Sequence, residues 1–143
     1  MSHVVSISLE IKDLDALARA CESLGLKLNL GQESYRWYGT HIGDYPIPVG
    51  FTVDDLGKCS HAITLPGSNA YEIGVVSRDG HYTLLWDFYG RQGKQMADKV
   101  GYDGQNLVDA YSRELTISHL QSEGYAVSTW TNEFGETIVE AVQ

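Results

Sequence analysis

The feature that most constrains the fold is a pair of alternating apolar runs joined at Asp79-Gly80. In the first run Tyr71, Ile73 and Val75 recur at every second residue. The second run repeats this spacing with Tyr82, Leu84, Trp86 and Phe88. Period two is typical of strands with one buried face, and Asp-Gly between two such runs favours a tight primed turn. The sequence therefore predicts a β-hairpin near the middle of a sheet.

The segments around this hairpin predict further strands and two helices. Residues 3–11 alternate, and apolar residues then recur at intervals of three and four from an N-cap at Asp13 to a stop at Gly25. A second helix is expected over about 106–123, with Asn106 and Asp109 resembling a cap, followed by a hairpin that turns at 132–135. Residues 90–104 are interpreted as a connector, with at most a helical turn near 95–100. The pattern predicts an α+β fold, with a mainly antiparallel sheet and two helices packed on one face, ferredoxin-like or related.

The length of 143 residues predicts one domain over 1–143 that contains a long loop at about 39–68. Glycine, proline and aspartate are concentrated in the first part of this loop, and an alternating run follows at 61–65. Long connections are uncommon without a role, because ordering them costs conformational entropy. We interpret the loop as an insertion or a functional segment.

The charge balance restricts the partners. With 19 acidic and 10 basic residues, the formal net charge is −9. The resulting field opposes binding to nucleic acid and to anionic membranes. The N-terminal residues do not resemble a secretory signal and no apolar run is long enough for a membrane span, so we expect a cytoplasmic protein. A protein partner or a small molecule fits this composition better.

Five residues are candidates for a ligand site. His41 and Asp44 share the long loop, and His61 follows Cys59 at an interval of two. A metal centre needs three or four convergent ligands, which this spacing does not supply, so neither a metal nor a cofactor is predicted. Phosphate-loop, dinucleotide, nucleophile-elbow and zinc-protease motifs are absent from the sequence.

Asp87 and His119 complete the set. Asp87 lies between Trp86 and Phe88 and is expected to point to the opposite face of the sheet, where it is exposed if helices cover one face only. In a cleft it becomes a candidate acid or base. His119 falls on the apolar stripe of the second helix, and we favour a position at the edge of that stripe, where water or a terminal carbonyl satisfies the imidazole.

Short patches resemble a family of small proteins from cyanobacteria and plastid genomes known as hypothetical chloroplast open reading frames. The resemblance begins with the Met-Ser-His start and Leu24-Gly25. It continues through Tyr38-Gly39, Asn69, Ile73-Gly74, Asp79-Gly80, Tyr82, Tyr111, Gly124-Tyr125, Gly135 and Thr137-Ile138. Residues 40–68 depart from the family, whose segment is more basic and strand-like. The resemblance implies domain boundaries at the chain ends and a soluble protein, and it implies no activity.

The sequence is compatible with three functions. The sequence favours a non-catalytic binding or adaptor domain, which predicts an exposed aromatic patch or an open sheet edge. The alternative is a small-ligand-binding or enzymatic domain that uses the 39–68 loop as a lid, with His41, Asp44 and His61 near a pocket. A homo-oligomer formed through exposed final strands is the third hypothesis.

Overall fold

The computed structural model describes residues 2–41 and 45–143 and has the predicted α+β architecture. The strands are β1 (Val4–Ile11), β2 (Lys27–Leu30), β3 (His61–Thr64), β4 (Ile73–Arg78), β5 (His81–Asp87), β6 (Ala126–Thr131) and β7 (Thr137–Val142). The helices are α1 (Leu14–Ser23), α2 (Gly90–Val100) and α3 (Gln105–Ser122). A single 3-10 turn covers Val53–Asp55.

Five strands form one antiparallel sheet in the order β1-β5-β4-β3-β2. The predicted central hairpin is confirmed as β4 and β5, which pair from Ile73 opposite Trp86 to Arg78 opposite His81. Asp79 has a φ of 50°, so the turn uses the left-handed conformation that Asp-Gly pairs favour. β1 pairs with the outer side of β5, with Val4 opposite Asp87.

All three helices pack on the same face of this sheet. Their buried residues join the inward side chains of the strands in one core that includes Leu17, Met96 and Leu107. The Asp13 side chain accepts a hydrogen bond from the Ala16 amide at 3.0 Å, which confirms the predicted cap of α1. The stretch 90–104 was expected to be mainly a connector. It instead forms the eleven-residue helix α2, because Met96, Ala97 and Val100 recur on one side and bury against the core.

The other face of the sheet is covered by residues 31–41 and 45–60, which together we call the covering segment. Its side chains Tyr35 and Leu56 form a second buried cluster with sheet residues that include Val76 and Leu85. Gly74 in β4 is needed at this contact, since a Cβ there would collide with the Tyr35 ring. Much of the long predicted loop is therefore a layer of the structure that buries the second face of the sheet.

The C-terminal hairpin, β6 and β7, forms a separate two-stranded sheet after α3. Tyr111 anchors the first half of α3, because its hydroxyl accepts hydrogen bonds from the Lys12 and Asp13 amides at 3.2 Å each. The expected cap at Asn106 and Asp109 is wrong, since α3 begins after Gly104 with no side-chain cap. Leu115, which lies one turn before His119 on the same side of α3, is exposed. Burial along α3 therefore fades towards the hairpin.

Among the helices that the structure describes, none combines the length and apolar character required to cross a membrane.

Candidate functional site

Asp87 is completely buried and is held by three backbone amides. Its Oδ1 accepts hydrogen bonds from the amides of His3 and Tyr89, and its Oδ2 accepts one from Tyr38, each at 3.1 Å. The expectation that Asp87 is exposed is wrong, because the covering segment closes the face of the sheet to which it points. Burying a carboxylate is costly unless it is hydrogen-bonded, and these donors offset that cost.

The three donors come from three different parts of the chain. His3 precedes β1, Tyr38 belongs to the covering segment, and Tyr89 is the N-cap of α2. Asp87 therefore joins these segments at the C-terminal end of β5. Its side chain acts here as a positioning group, because its donors are backbone amides that fix where the neighbouring tyrosines stand.

Aromatic rings pack beside this carboxylate. The His3 imidazole stacks on the Tyr45 ring at a centroid distance of 4.4 Å and meets the edge of Tyr89 at 4.5 Å. Phe88 lies 5.5 Å from the same imidazole. These contacts place His3 in an aromatic cluster and hold the Tyr89 ring at the rim of a neighbouring pocket.

This pocket, which we call the tyrosine pocket, opens between the covering segment and the start of α2. Its volume is about 330 Å³. The lining residues are Tyr38, Asn69, Tyr71, Tyr89, Gly90, Arg91 and Gln92. Gln92 secures the wall, since its carbonyl accepts the Tyr71 amide at 3.1 Å and its side chain donates to the Asn69 carbonyl at 2.8 Å. A site of this size accommodates a small organic molecule.

Tyr71 provides the least usual polar group of the pocket. The residue is only 7% exposed, yet it lines the open pocket. Burial, with smaller contributions from Asp87 and Tyr38, raises the pKa of Tyr71, so the hydroxyl remains a proton donor at neutral pH. Because Tyr71 lines the pocket, its hydroxyl can donate a hydrogen bond to a ligand oxygen there.

Among the described residues that line the pocket, Arg91 is the only one with a charged side chain, and it is exposed. It makes no ion pair with the parts of the chain that the structure describes. Tyr89, the N-cap of α2, supplies no side-chain hydrogen bond to the first turn, and amides at a helix start carry a partial positive charge. The described lining therefore offers several hydrogen-bond donors and carries one positive charge, that of Arg91.

The histidines proposed from the sequence lie elsewhere. His61 is on β3, on the helix side of the sheet with Ile63, and its Nδ1 accepts the Gly31 amide at 2.9 Å. It therefore points away from the face that the covering segment closes. His41 is half-buried in that segment, whereas Asp44 lies outside the described residues. A convergence of His41, Asp44 and His61 stays a prediction.

His119 is on the exposed half of α3. Its side chain is 70% exposed, and its Nε2 lies 3.2 Å from a carboxylate oxygen of Glu123, one helical turn away. The interpretation of a histidine at the edge of the apolar stripe is consistent with this position, although its neighbour is a carboxylate and not a terminal carbonyl. Within the described residues, no three His, Cys, Asp or Glu side chains converge as metal ligands.

Sequence reasoning found Asp87 but missed the tyrosine pocket. Tyr38, Tyr71, Tyr89 and Arg91 come from three separate segments, so no spacing motif connects them. One usable signal was Asp87 at a strand end followed by Phe88-Tyr89-Gly90, because an Asp side chain often accepts the backbone amide two residues later, here that of Tyr89.

No family model, curated protein or solved structure matches this chain. The residues around Tyr71 and Arg91 are accordingly the starting point for a functional proposal.

Proposed function

We propose that this chain is a non-catalytic binding domain that holds a small organic anion in the tyrosine pocket. The observation that carries the proposal is that Tyr71 and the exposed Arg91, which has no ion-pair partner among the described residues, line the same pocket. Both groups donate hydrogen bonds, so the ligand group that suits them is an oxyanion such as a carboxylate or a phosphate.

The remaining lining favours a planar body attached to that oxyanion. Tyr38 and Tyr89 are 45% and 41% exposed and present aromatic surface at the rim. Aromatic rings bind other rings through stacked or edge contacts. An aryl phosphate or an aryl carboxylate thus combines the two kinds of contact that the pocket offers.

The acidic character of the chain is compatible with this proposal. Although the net charge is −9, the described residues that line the pocket include one cation and no carboxylate. The negative charge of the nearby Asp87 opposes an anionic ligand, and the three amides that bind its oxygens offset part of that charge. The overall field disfavours polyanions, while a single oxyanion at Arg91 avoids most of that repulsion.

The alternative function, a ligand-binding or enzymatic domain with the 39–68 loop as a lid, is favoured by one observation. Tyr38 lines the pocket and immediately precedes this loop in the sequence, and its amide donates a hydrogen bond to Asp87. Movement of the loop would therefore change the pocket. A lid predicts that ligand binding protects the amides of residues 45–56 from hydrogen exchange, which a static binding pocket does not.

Two expectations from the sequence join this proposal. We propose a relationship to the hypothetical chloroplast open reading frames, supported by the structural demands on glycines in the resembling patches: Gly74 faces Tyr35, and Gly124 and Gly135 have positive φ. We also propose a cytosolic location, which the free thiols of Cys21 and Cys59 support.

Isothermal titration with phenyl phosphate, benzoate, inorganic phosphate and phenol tests the binding function. We expect phenyl phosphate to bind most tightly and phenol to bind much more weakly, because phenol lacks the oxyanion. Arg91→Gln should weaken phenyl phosphate binding by about tenfold or more, the effect of losing a charged hydrogen bond. Tyr71→Phe should weaken it less.

Arg113→Gln is the matched control, since it removes the same charge from α3 at a position outside the pocket lining. Equal binding by the wild type and Arg91→Gln, or equal affinity for phenol and phenyl phosphate, would contradict the proposal.

A further inference from the structure

The C-terminal hairpin exposes apolar side chains that the rest of the described chain leaves uncovered. Trp130 is 51% exposed, Phe134 is 78% exposed and Val142 is 57% exposed. The β6–β7 register places Trp130 opposite Ile138 and Ala126 opposite Val142, so these four side chains share one face. A two-stranded sheet with such a face is marginal in water without further packing.

The tip of this hairpin is nevertheless well ordered. The Asn132 side chain accepts hydrogen bonds from the Phe134 and Glu136 amides at 2.9 Å each, and the Gly135 amide donates to the Asn132 carbonyl at 3.1 Å. Gly135 adopts a φ of 78°, which suits glycine. Phe134 is therefore held outward by a formed turn.

Both outer edges of the hairpin lack a strand partner among the described residues. β6 pairs only with β7, and neither belongs to the five-stranded sheet. An open edge presents amides and carbonyls in the spacing that an additional strand requires. A partner that adds a strand would satisfy the backbone and cover Trp130 at the same time.

The negative charge of the C-terminal hairpin favours one kind of partner. Residues 114–143 contain no Lys or Arg, whereas the hairpin carries Glu133, Glu136 and Glu140. A second copy would bring these carboxylates against the same carboxylates with no cation from either hairpin, which is unfavourable. A strand with basic side chains would meet the acidic residues with complementary charge.

We propose that the C-terminal hairpin is a docking surface for a basic, extended polypeptide segment of another protein, which adds a strand to the open edge of β6 or β7. This surface is separate from the tyrosine pocket, and the proposal does not depend on what the pocket binds. It gives the chain a second role, as an adaptor that carries one partner at the hairpin.

Fluorescence anisotropy with three labelled synthetic peptides of about twelve residues tests this docking. In the first peptide Lys alternates with Val and Thr, in the second Glu replaces each Lys, and in the third Pro interrupts the Lys-containing sequence. We expect binding of the first, none of the second, and about tenfold weaker binding of the third, because Pro removes ladder donors. Equal binding of all three, or none of the first, overturns the proposal.

Variants then locate the surface. The double variant Trp130→Ala with Phe134→Ala, and the triple variant of Glu133, Glu136 and Glu140 to Gln, should each weaken binding by about tenfold. The control triple variant Glu22→Gln, Glu33→Gln and Asp54→Asn removes the same charge from exposed sites elsewhere. It should weaken binding less than threefold, a change of roughly 0.6 kcal/mol.

Equal losses in the two triple variants would mean that the peptide responds only to the net charge, and the docking surface would be rejected. Light scattering measures the oligomeric state and so tests whether a second copy of this chain occupies the hairpin surface. A dimer that becomes a monomer on Trp130→Ala with Phe134→Ala would assign the hairpin to a second copy and overturn the proposal.

Discussion

The surroundings of Asp87 and the C-terminal hairpin differ in where their polar and apolar groups lie. The carboxylate of Asp87 is completely buried and accepts hydrogen bonds from three amides, so a polar group is inside and paired. At the hairpin Trp130 and Phe134 are exposed and the strand edges are open, so apolar groups are outside and uncovered. Both arrangements depart from the usual distribution of residues.

The difference indicates two kinds of binding surface. A buried, fully paired charge fixes the positions of its neighbours, which suits a pocket that must hold a small molecule in one orientation. An exposed edge with apolar side chains has few internal contacts and is completed by a partner. We therefore expect the proposed ligand pocket to be preformed and the proposed docking surface of the hairpin to be completed by its partner.

Asp87→Asn should have the largest effect on stability. The amide nitrogen of Asn is a donor and cannot accept the amides that now bind a carboxylate oxygen, so at least one buried amide loses its partner. We expect the free energy of unfolding to fall by about 2–4 kcal/mol, measured by urea denaturation. Asp79→Asn, the same change in an exposed turn, should cost less than about 0.5 kcal/mol. Equal costs would contradict the conclusion that the Asp87 carboxylate is held by buried amides.

Gly74→Ala tests the contact between the covering segment and the sheet. The new Cβ would collide with the Tyr35 ring, so we expect a loss of about 1–3 kcal/mol from overpacking. In a Tyr35→Leu background the same substitution should cost less, because the ring is gone. A double-mutant cycle measures this coupling, and additive losses would show that the covering segment does not press on Gly74.

Alkaline pH should destabilise the five-stranded part of the molecule. Burial raises the pKa of Cys21 from 9.0 to about 12 and that of Tyr35 from 10.0 to about 12. Because the raised pKa favours the protonated folded state, this contribution is complete below pH 9 and is lost as the pH rises from 9 to 12. By pH 9.5 the loss should be about 1 kcal/mol, mostly from Cys21. Cys21→Ala should make the decline shallower, and an unchanged pH profile would argue against a buried thiol.

Trp130→Ala with Phe134→Ala should have the smallest effect on stability. Both side chains are exposed, so we expect a change of less than about 0.5 kcal/mol in the free energy of unfolding. Thermal unfolding provides the measurement. A loss above about 2 kcal/mol would mean that the hairpin is packed in the free protein and is not available for docking.

Regular elements were predictable because their signals are local. The alternation around Asp79-Gly80 and the cap at Asp13 each depend on residues a few positions apart, and both are confirmed. The burial of Asp87 was not predictable from local patterns, because it depends on the covering segment, which is distant from this residue in sequence. Tyr38, whose amide binds Asp87, is 49 residues away from it. The exposure of His119 and Leu115 likewise depends on where α3 extends past the sheet, which periodicity alone does not report.

Amide chemical shifts of the isotope-labelled protein during titration with phenyl phosphate test whether the ligand binds in the tyrosine pocket. We expect saturable shifts centred on residues 38, 71 and 89–92, with no comparable shifts in residues 126–142. Shifts that are absent, or that are largest in the hairpin, would contradict it.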